Sequence, residues 1–215
     1  MVRVGIAGSL FGRTPVKDEA VLRAMRTVPR HQFVPEGSRQ QAYSDHPLPI
    51  GSGQTISQPY IVGFMTEALR PKPNHVILEI GTGSGYQAAV LAEIADKVYS
   101  IEIVPELGRR AAALLEELDY ENVQVRIGDG YLGWPEHAPF DGIIVTAAPD
   151  HIPQPLIDQL KPGGRLVIPV GPEGRTQTLL VIEKQKDGSL TRQELMLVRF
   201  VPFTGDEHES ESGKR

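Results

Sequence analysis

Three glycines at alternate positions could bring a ligand close to the backbone. Gly81, Gly83 and Gly85 follow an apolar run over residues 76–80, and residues 86–95 then carry apolar side chains at helical spacing. This order predicts a buried strand, a tight turn and a helix. Glycine tolerates positive φ and allows a ligand to approach closely, and the first turn of a helix offers free N–H groups. An ordinary strand-to-helix turn is the simpler alternative.

Acidic residues at the ends of the next two predicted strands extend this pattern. Glu102 follows the strand over residues 97–101 and lies 21 residues after Gly81, and Asp129 follows the strand over residues 123–127. Nucleotide-binding α/β units place an acid about 20 residues after the first glycine, where it accepts hydrogen bonds from ribose hydroxyls. Either acid alone could be an ordinary loop residue. Together with the glycine turn, they predict a site for an adenosine-like ligand.

The spacing of the glycines distinguishes two classes of cofactor. Dinucleotide-binding folds use G-x-G-x-x-G, which makes room for a pyrophosphate at the helix start. This chain has Glu79-x-Gly81-x-Gly83-x-Gly85 instead. An acid two residues before the first glycine would repel pyrophosphate but would attract a cofactor that carries positive charge. The pattern therefore favours S-adenosylmethionine, which has a sulfonium and an ammonium, over NAD.

The elements that must position these residues alternate regularly along the chain. Helices are predicted at residues 16–28, 60–69, 86–95, 105–118 and 152–160. Strands are predicted at residues 76–80, 97–101, 123–127, 140–145 and 165–170, and then at 179–183 and 195–201 around an Asp-Gly turn. Residues 30–53 are interpreted as loop and residues 161–164 as a turn. The order predicts an α/β fold with a Rossmann-like, doubly wound, mostly parallel sheet.

The same reading divides the chain into one domain and a tail. We expect a single domain over residues 1–205, with an N-terminal helical and loop extension over residues 1–73 and a cofactor-binding core over residues 74–205. The core ends in an antiparallel hairpin. Residues 206–215 are polar and charged, and we expect them to lack fixed structure.

Composition excludes several other classes of function. The net charge of −5 and the pI of about 5.7 disfavour a nucleic-acid partner. The absence of cysteine removes disulfides, thiol catalysis and thiolate metal sites, and the six histidines form no ligand cluster, so no metal is expected. No apolar run reaches the ~18 residues that a membrane span needs, and the first twelve residues are short for a signal peptide. We expect a monomeric protein in the cytoplasm.

The motifs resemble those of a known enzyme family. Residues 79–85 resemble the first motif of class I methyltransferases. More specific matches are Gln-Thr-Ile-Ser-Gln-Pro at 54–59, Gly-Asp-Gly at 128–130, Ala-Pro-Phe-Asp at 138–141, the segment 157–166 that contains Pro-Gly-Gly-Arg-Leu, and Arg-Phe-Val-Pro at 199–202. From about residue 16 to residue 203, the chain resembles the protein-L-isoaspartate (D-aspartate) O-methyltransferases.

The resemblance implies a reaction and a set of site residues. Such enzymes move a methyl group from S-adenosylmethionine to the free α-carboxylate of an isoaspartyl residue, and the ester then returns to aspartate through a succinimide. Isoaspartyl peptides and proteins would be the substrates, with D-aspartyl acceptance open. By resemblance the catalytic residue is Ser57, the cofactor-binding residues are Glu79, Gly81, Thr82, Gly83, Ser84, Gly85, Glu102, Ile103, Asp129 and Gly130, and the substrate-binding residues are Thr55, Ile56, Val201 and Pro202.

Other interpretations remain open at this point. By propensity alone, Ser57 is the N-cap of the helix that has Pro59 in its first turn, although one serine could both cap a helix and face a substrate. The chain could also methylate another carboxylate or a small molecule, or it could bind the cofactor without catalysis. A dehydrogenase is disfavoured by the glycine spacing and by Glu79.

Overall fold

A seven-stranded sheet forms the centre of the chain, which a computed structural model describes at residues 1–2, 6–8 and 13–205. Its strands are β3 (Val76–Ile80), β4 (Lys97–Glu102), β5 (Val123–Ile127), β6 (Phe140–Val145), β7 (Leu160–Val170), β8 (Gln177–Lys184) and β9 (Leu190–Val198). Their order across the sheet is β5-β4-β3-β6-β7-β8-β9. Strands β3 to β7 pair in parallel, and β8 and β9 are antiparallel. The predicted doubly wound α/β sheet with a C-terminal hairpin is confirmed.

Helices and side chains cover both faces of this sheet. The helices are α1 (Glu19–Thr27), α2 (Pro59–Leu69), α3 (Tyr86–Ala92), α4 (Pro105–Glu117) and α5 (Gln154–Asp158). Neighbouring residues of one strand point to opposite faces, so Ile77 packs in the core with α1, α2 and α3, whereas Leu78 packs in the core with α5. Two cores on one sheet explain why β3 is apolar along nearly its whole length.

Several predicted boundaries are wrong, and tertiary pairing explains the largest differences. The predicted turn at residues 161–164 lies inside β7, where the register against β6 is irregular between Phe140 and Gly142. The predicted last strand ends at Val198, because residues 201–203 instead pair with Ala148. Helix α1 begins later than predicted because the Asp18 carboxylate caps it. Helices α3, α4 and α5 are shorter than predicted.

The segment predicted as loop has structure of its own. It contains two 3-10 helices, Arg30–Phe33 and Glu36–Gln41, and the short strand β1 (Leu48–Gly51). Strand β1 forms a separate antiparallel ribbon with β2 (Gln54–Ile56). Elements of four to six residues leave no usable periodicity, because they are shorter than the window in which a period can be read.

Helix α2 begins differently from the prediction that Ser57 caps it. Its N-cap residue is Gln58, which makes no side-chain capping bond. The N–H of Tyr60 instead donates to Asp45 Oδ1 at 2.8 Å. Asp45 also accepts from Arg13 Nη1 at 2.6 Å. A residue distant in sequence therefore caps the helix, and the Ser57 hydroxyl is not needed for that purpose.

Two sequence predictions fall wholly or partly outside the described residues. The tail over residues 206–215 lies outside them, and so does most of the segment considered as a signal peptide. Among the described residues, none of the helices has the length and apolar character to span a membrane.

The corrected cap can be tested by comparing two substitutions. Asp45→Ala removes the acceptor of the Tyr60 N–H, and we expect the free energy of unfolding to fall by about 0.5–2 kcal/mol, the range for lost helix caps. Ser57→Ala should change it by less than about 0.5 kcal/mol, as for ordinary surface substitutions. Urea denaturation measures both values. A larger loss for Ser57→Ala than for Asp45→Ala would contradict this assignment.

Candidate active site

The glycine turn lies at the carboxyl end of β3, between the neighbouring strands β4 and β6. Gly81, Gly83 and Gly85 all have positive φ, at 94°, 53° and 86°. The turn is held to β4 by the Gly81 N–H, which donates to the Ile101 carbonyl at 2.8 Å. The Thr146 hydroxyl donates to the Gly81 carbonyl at 2.7 Å. Hydrogen bonds from both neighbouring strands therefore fix the backbone of the turn.

Glu102 connects the end of β4 to the same turn. Its side chain is only 5% exposed. Oε2 accepts from the Gly83 N–H at 2.7 Å, and Oε1 accepts from the Val104 N–H at 2.9 Å. A carboxylate has about four lone-pair sites, so each oxygen can still accept a hydrogen bond from a ligand hydroxyl. Glu102 can therefore shape the turn and bind a ribose at once.

A cavity beside the turn, here called the inner cavity, is lined by five of the ten predicted cofactor residues. Its lining includes Gly81, Gly83, Glu102, Ile103 and Gly130, together with the apolar side chains of Ile80, Ile101 and Val104. Predicted substrate residues Thr55, Val201 and Pro202 line it as well. Asp129 stands beside Gly130, outside this lining, and its Oδ1 accepts from the Tyr131 N–H at 2.8 Å. Adenosine has an apolar ring face and polar hydroxyl and amino groups, so an apolar cleft with Glu102 and Asp129 at its edge is suited to bind it.

A second cavity, the connecting cavity, joins the glycine turn to the predicted catalytic residue. Ser57 and Ile56 line it on one side, and Thr82, Gly83 and Ser84 line it on the other. Gly85 lies behind this wall and is buried against α4. Ser57 is partly exposed, and among the described residues its hydroxyl has no hydrogen-bond partner. The hydroxyl is therefore available to a ligand in this cavity.

A third space, the outer groove, opens from the connecting cavity to solvent. It has a volume of about 630 Å³, and its lining includes Ser57, Tyr60, Arg175, Arg199 and Val201. Thr55 and Thr146 line all three spaces, so the spaces meet at these two threonines. Sequence reasoning missed Thr146. Its position directly after β6, at the carboxyl edge of a parallel sheet, was the signal that could have found it.

Backbone pairing brings Val201 and Pro202 to this junction. The Ala148 N–H donates to the Val201 carbonyl at 2.8 Å, and the Phe203 N–H donates to the Ala148 carbonyl at 3.1 Å. Residues that are 53 positions apart in the sequence, Ala148 and Val201, are thus joined next to Thr146. The segment closes one side of both the inner cavity and the outer groove.

Glu79 lies beneath the turn and outside the lining of these spaces. The parallel register pairs it with Ser100, whose hydroxyl donates to Glu79 Oε2 and is also hydrogen-bonded to the Thr82 hydroxyl. Burial raises the pKa of Glu79 to about 8, so the side chain is mainly neutral at pH 7. Glu79 is fully buried and lines none of the three spaces, and attraction of the cofactor by its charge stays a prediction. Glu79 supports the turn through Ser100 and Thr82.

With this geometry established, comparison with known proteins identifies the family. The family model described as protein-L-isoaspartate(D-aspartate) O-methyltransferase (PCMT) matches residues 9–208. The chain belongs to this family. Its methyl donor is S-adenosylmethionine, as the glycine spacing and the family resemblance indicated.

Individual relatives agree with the family match. A protein-L-isoaspartate O-methyltransferase of Opitutus terrae is 64% identical over 88% of this chain and 81% of its own length. Another, of Gloeobacter violaceus, is 59% identical over 88% of this chain and 92% of its own length.

Solved structures of this family share the fold. One protein-L-isoaspartate O-methyltransferase has a TM-score of 0.82 at 30% identity, over 90% of this chain and 65% of that chain. A putative protein-L-isoaspartate O-methyltransferase from Plasmodium falciparum, in complex with S-adenosyl-L-homocysteine, has a TM-score of 0.76 at 26% identity, over 89% of this chain and 93% of that chain.

The tightest position of the turn can be tested with Gly81→Ala. A Cβ at Gly81 would lie 2.5 Å from Thr146 Oγ1, at a φ of 94°, so we expect affinity for S-adenosylhomocysteine to fall at least ~10-fold. Gly188→Ala is the matched control, because it has a φ of 85° but no atom within 4 Å and lies in the distant β8–β9 turn. Isothermal titration calorimetry measures both. Equal affinities would refute this role of Gly81.

The buried Glu79 predicts a pH dependence of stability. Its pKa rises on folding from an ordinary 4.5 to about 8, so the folded state binds the extra proton. The free energy of unfolding therefore decreases as pH rises through this window. Glu79→Gln keeps the shape without the titration, and its stability relative to wild type should increase between pH 6 and 9.

Urea denaturation at several pH values measures this difference. Glu117→Gln, which removes an exposed carboxylate from α4, serves as the control. Parallel curves for wild type and Glu79→Gln would contradict the prediction.

Proposed function

We propose that this chain methylates the free α-carboxylate of L-isoaspartyl residues in damaged proteins and that Ser57 acts at the reacting end. The observation that carries the assignment is the connecting cavity, in which Ser57 and the glycine turn face the same space. This space opens on one side toward the inner cavity and on the other toward the outer groove, through Thr55 and Thr146. Cofactor and peptide can therefore meet there.

The inner cavity has the groups that an S-adenosyl cofactor needs. Glu102 would accept hydrogen bonds from the ribose hydroxyls, and Ile103 would pack on the adenine. Asp129 and Gly130 would lie at the adenine edge. The turn from Gly81 to Gly85 would follow the amino-acid part of the cofactor, with Glu79 supporting it from below. When bound, the cofactor supplies an electrophilic methyl group on a sulfonium.

The methyl transfer itself needs little acid–base catalysis from the protein. An α-carboxylate is ionised at neutral pH, so it attacks without a general base. The chain must align the carboxylate oxygen with the methyl group and exclude water. Such alignment alone can produce large rate accelerations. The Ser57 hydroxyl would donate a hydrogen bond to the carboxylate and hold it in line. Thr55 and Ile56 would form the adjoining wall.

The outer groove supports a peptide substrate that carries negative charge. Arg175 and Arg199 line it and are exposed, and no aspartate or glutamate belongs to its lining within the described residues. Opposite charges attract an isoaspartyl carboxylate toward the groove. Val201 and Pro202 would border the bound peptide. D-aspartyl residues would be a second substrate. The protein would act as a monomer in the cytoplasm.

The proposal is tested by transfer of labelled methyl from S-adenosylmethionine to a matched pair of peptides. One peptide contains an isoaspartyl residue, and the other contains an aspartyl residue in the same sequence. We expect base-labile label on the isoaspartyl peptide alone. Label on both peptides would indicate a less selective carboxyl methyltransferase. Cofactor binding without label on either peptide would refute the activity.

Ser57→Ala tests the role of the hydroxyl at the reacting end. Because Ser57 faces the junction and not the ribose side, we expect kcat to fall ~10- to 100-fold, while affinity for S-adenosylhomocysteine changes less than ~3-fold. Steady-state kinetics with the isoaspartyl peptide and calorimetry measure the two effects. Ser57→Thr retains a hydroxyl and is the matched variant. A collapse of cofactor affinity with unchanged kcat would contradict the assignment.

A further inference from the structure

A fully buried arginine lies behind the catalytic segment. Arg30 has 0% exposure. Burial lowers its pKa to about 10, so the guanidinium remains charged at neutral pH. Removing a cation from water is costly unless hydrogen bonds or charges compensate it. Packing alone therefore does not explain why a cation is buried at this position.

Two of its N–H groups bind backbone carbonyls of distant segments. Arg30 Nε donates to the Ala42 carbonyl at 2.7 Å, and Nη2 donates to the Ser57 carbonyl at 2.7 Å. A guanidinium is planar, and its donors have a fixed mutual geometry. The two carbonyls are consequently held at a defined separation. The Ser57 backbone is thus held by a residue that lines none of the three spaces.

A third contact connects the same group to the glycine turn. The Arg30 guanidinium carbon lies 4.7 Å from the centre of the Tyr86 ring, which is a cation–π arrangement. Tyr86 is the first residue of α3 and directly follows Gly85. One rigid group thus contacts both Ser57 and the helix that begins at the cofactor turn.

The arrangement is not the most stable way to fill this space. Arg30 Nη1 is buried and has no hydrogen-bond partner, and a buried unsatisfied donor costs free energy. An apolar side chain of similar volume would avoid both this cost and the cost of burying a charge. An arginine at this position is explained if the Ser57 carbonyl must be held in one place.

We propose that Arg30 is a positioning residue that sets the distance between Ser57 and the glycine turn, and thereby aligns the substrate carboxylate with the transferred methyl. The inference rests on the proposed role of Ser57. Arg30 touches neither substrate nor cofactor, since it lines none of the three spaces. Its effect on catalysis passes through the backbone of Ser57.

The test compares Arg30→Met and Arg30→Lys in the full chain. Met keeps an unbranched side chain, although a shorter one, and loses both hydrogen bonds, whereas Lys keeps the charge and can reach one carbonyl. Arg23→Met, which replaces an exposed arginine on α1, is the matched control. The number of S-adenosylhomocysteine sites, measured by calorimetry, gives the folded fraction. Rates are expressed per site, so that partial unfolding does not affect them.

We expect kcat per site to fall ~10- to 100-fold in Arg30→Met, the scale of a misplacement of about 1 Å. Affinity for S-adenosylhomocysteine should change less than ~3-fold, Arg30→Lys should be intermediate, and Arg23→Met should match wild type. If Arg30→Met does not fold, a fall of at least ~5-fold in Arg30→Lys supports the proposal.

An unchanged kcat per site in the variants that fold would overturn the positioning role and leave a purely structural one. This outcome is distinct from failure of the proposed function, because wild type would then still methylate the isoaspartyl peptide. A wild-type protein that methylates no isoaspartyl peptide would instead overturn the proposed function and the inference based on it.

Discussion

The hydrogen bonds that hold the glycine turn across the ends of β3 and β4 are the constraint on which the site depends. The Ile101 carbonyl and the Glu102 carboxylate accept from the N–H groups of Gly81 and Gly83, and Thr146 bonds the Gly81 carbonyl from the other side. The turn adopts positive φ at alternate residues, which only glycine tolerates readily. Neighbouring strands supply these partners, so the protein itself holds the backbone of the turn in place.

The wall that contains Ser57 is built by a different part of the chain. Strand β2 carries Thr55 and Ile56, and Ser57 lies between β2 and α2, outside the main sheet. Asp45 caps α2 in place of a local residue, and Arg30 binds the Ser57 carbonyl. The extension thus forms one wall of the site, and contacts between segments far apart in sequence hold that wall against the core.

Burial separates the roles of the two acids near the turn. Glu79 is fully buried, its pKa is raised to about 8, and it is held by Ser100. Glu102 lies at the edge of the inner cavity, where its oxygens can still accept hydrogen bonds. The former supports the backbone as a mainly neutral group, and the latter faces the inner cavity. Two glutamates 23 positions apart therefore differ in function because they differ in environment.

The sequence by itself determined the sheet, the turn and the family. Strands β3, β5 and β6 have the predicted bounds, because β3 and β6 are short buried apolar runs and β5, at the sheet edge, alternates apolar and polar residues. The glycine turn and the position of Glu102 at the end of β4 follow from one short stretch of sequence, so both could be predicted. Tertiary structure alone decided the cap of α2, the pairing of Ala148 with Val201, the role of Thr146 and the neutrality of Glu79. Each of these depends on a partner that is distant along the chain or on burial by the whole fold, and no local pattern of residues records either.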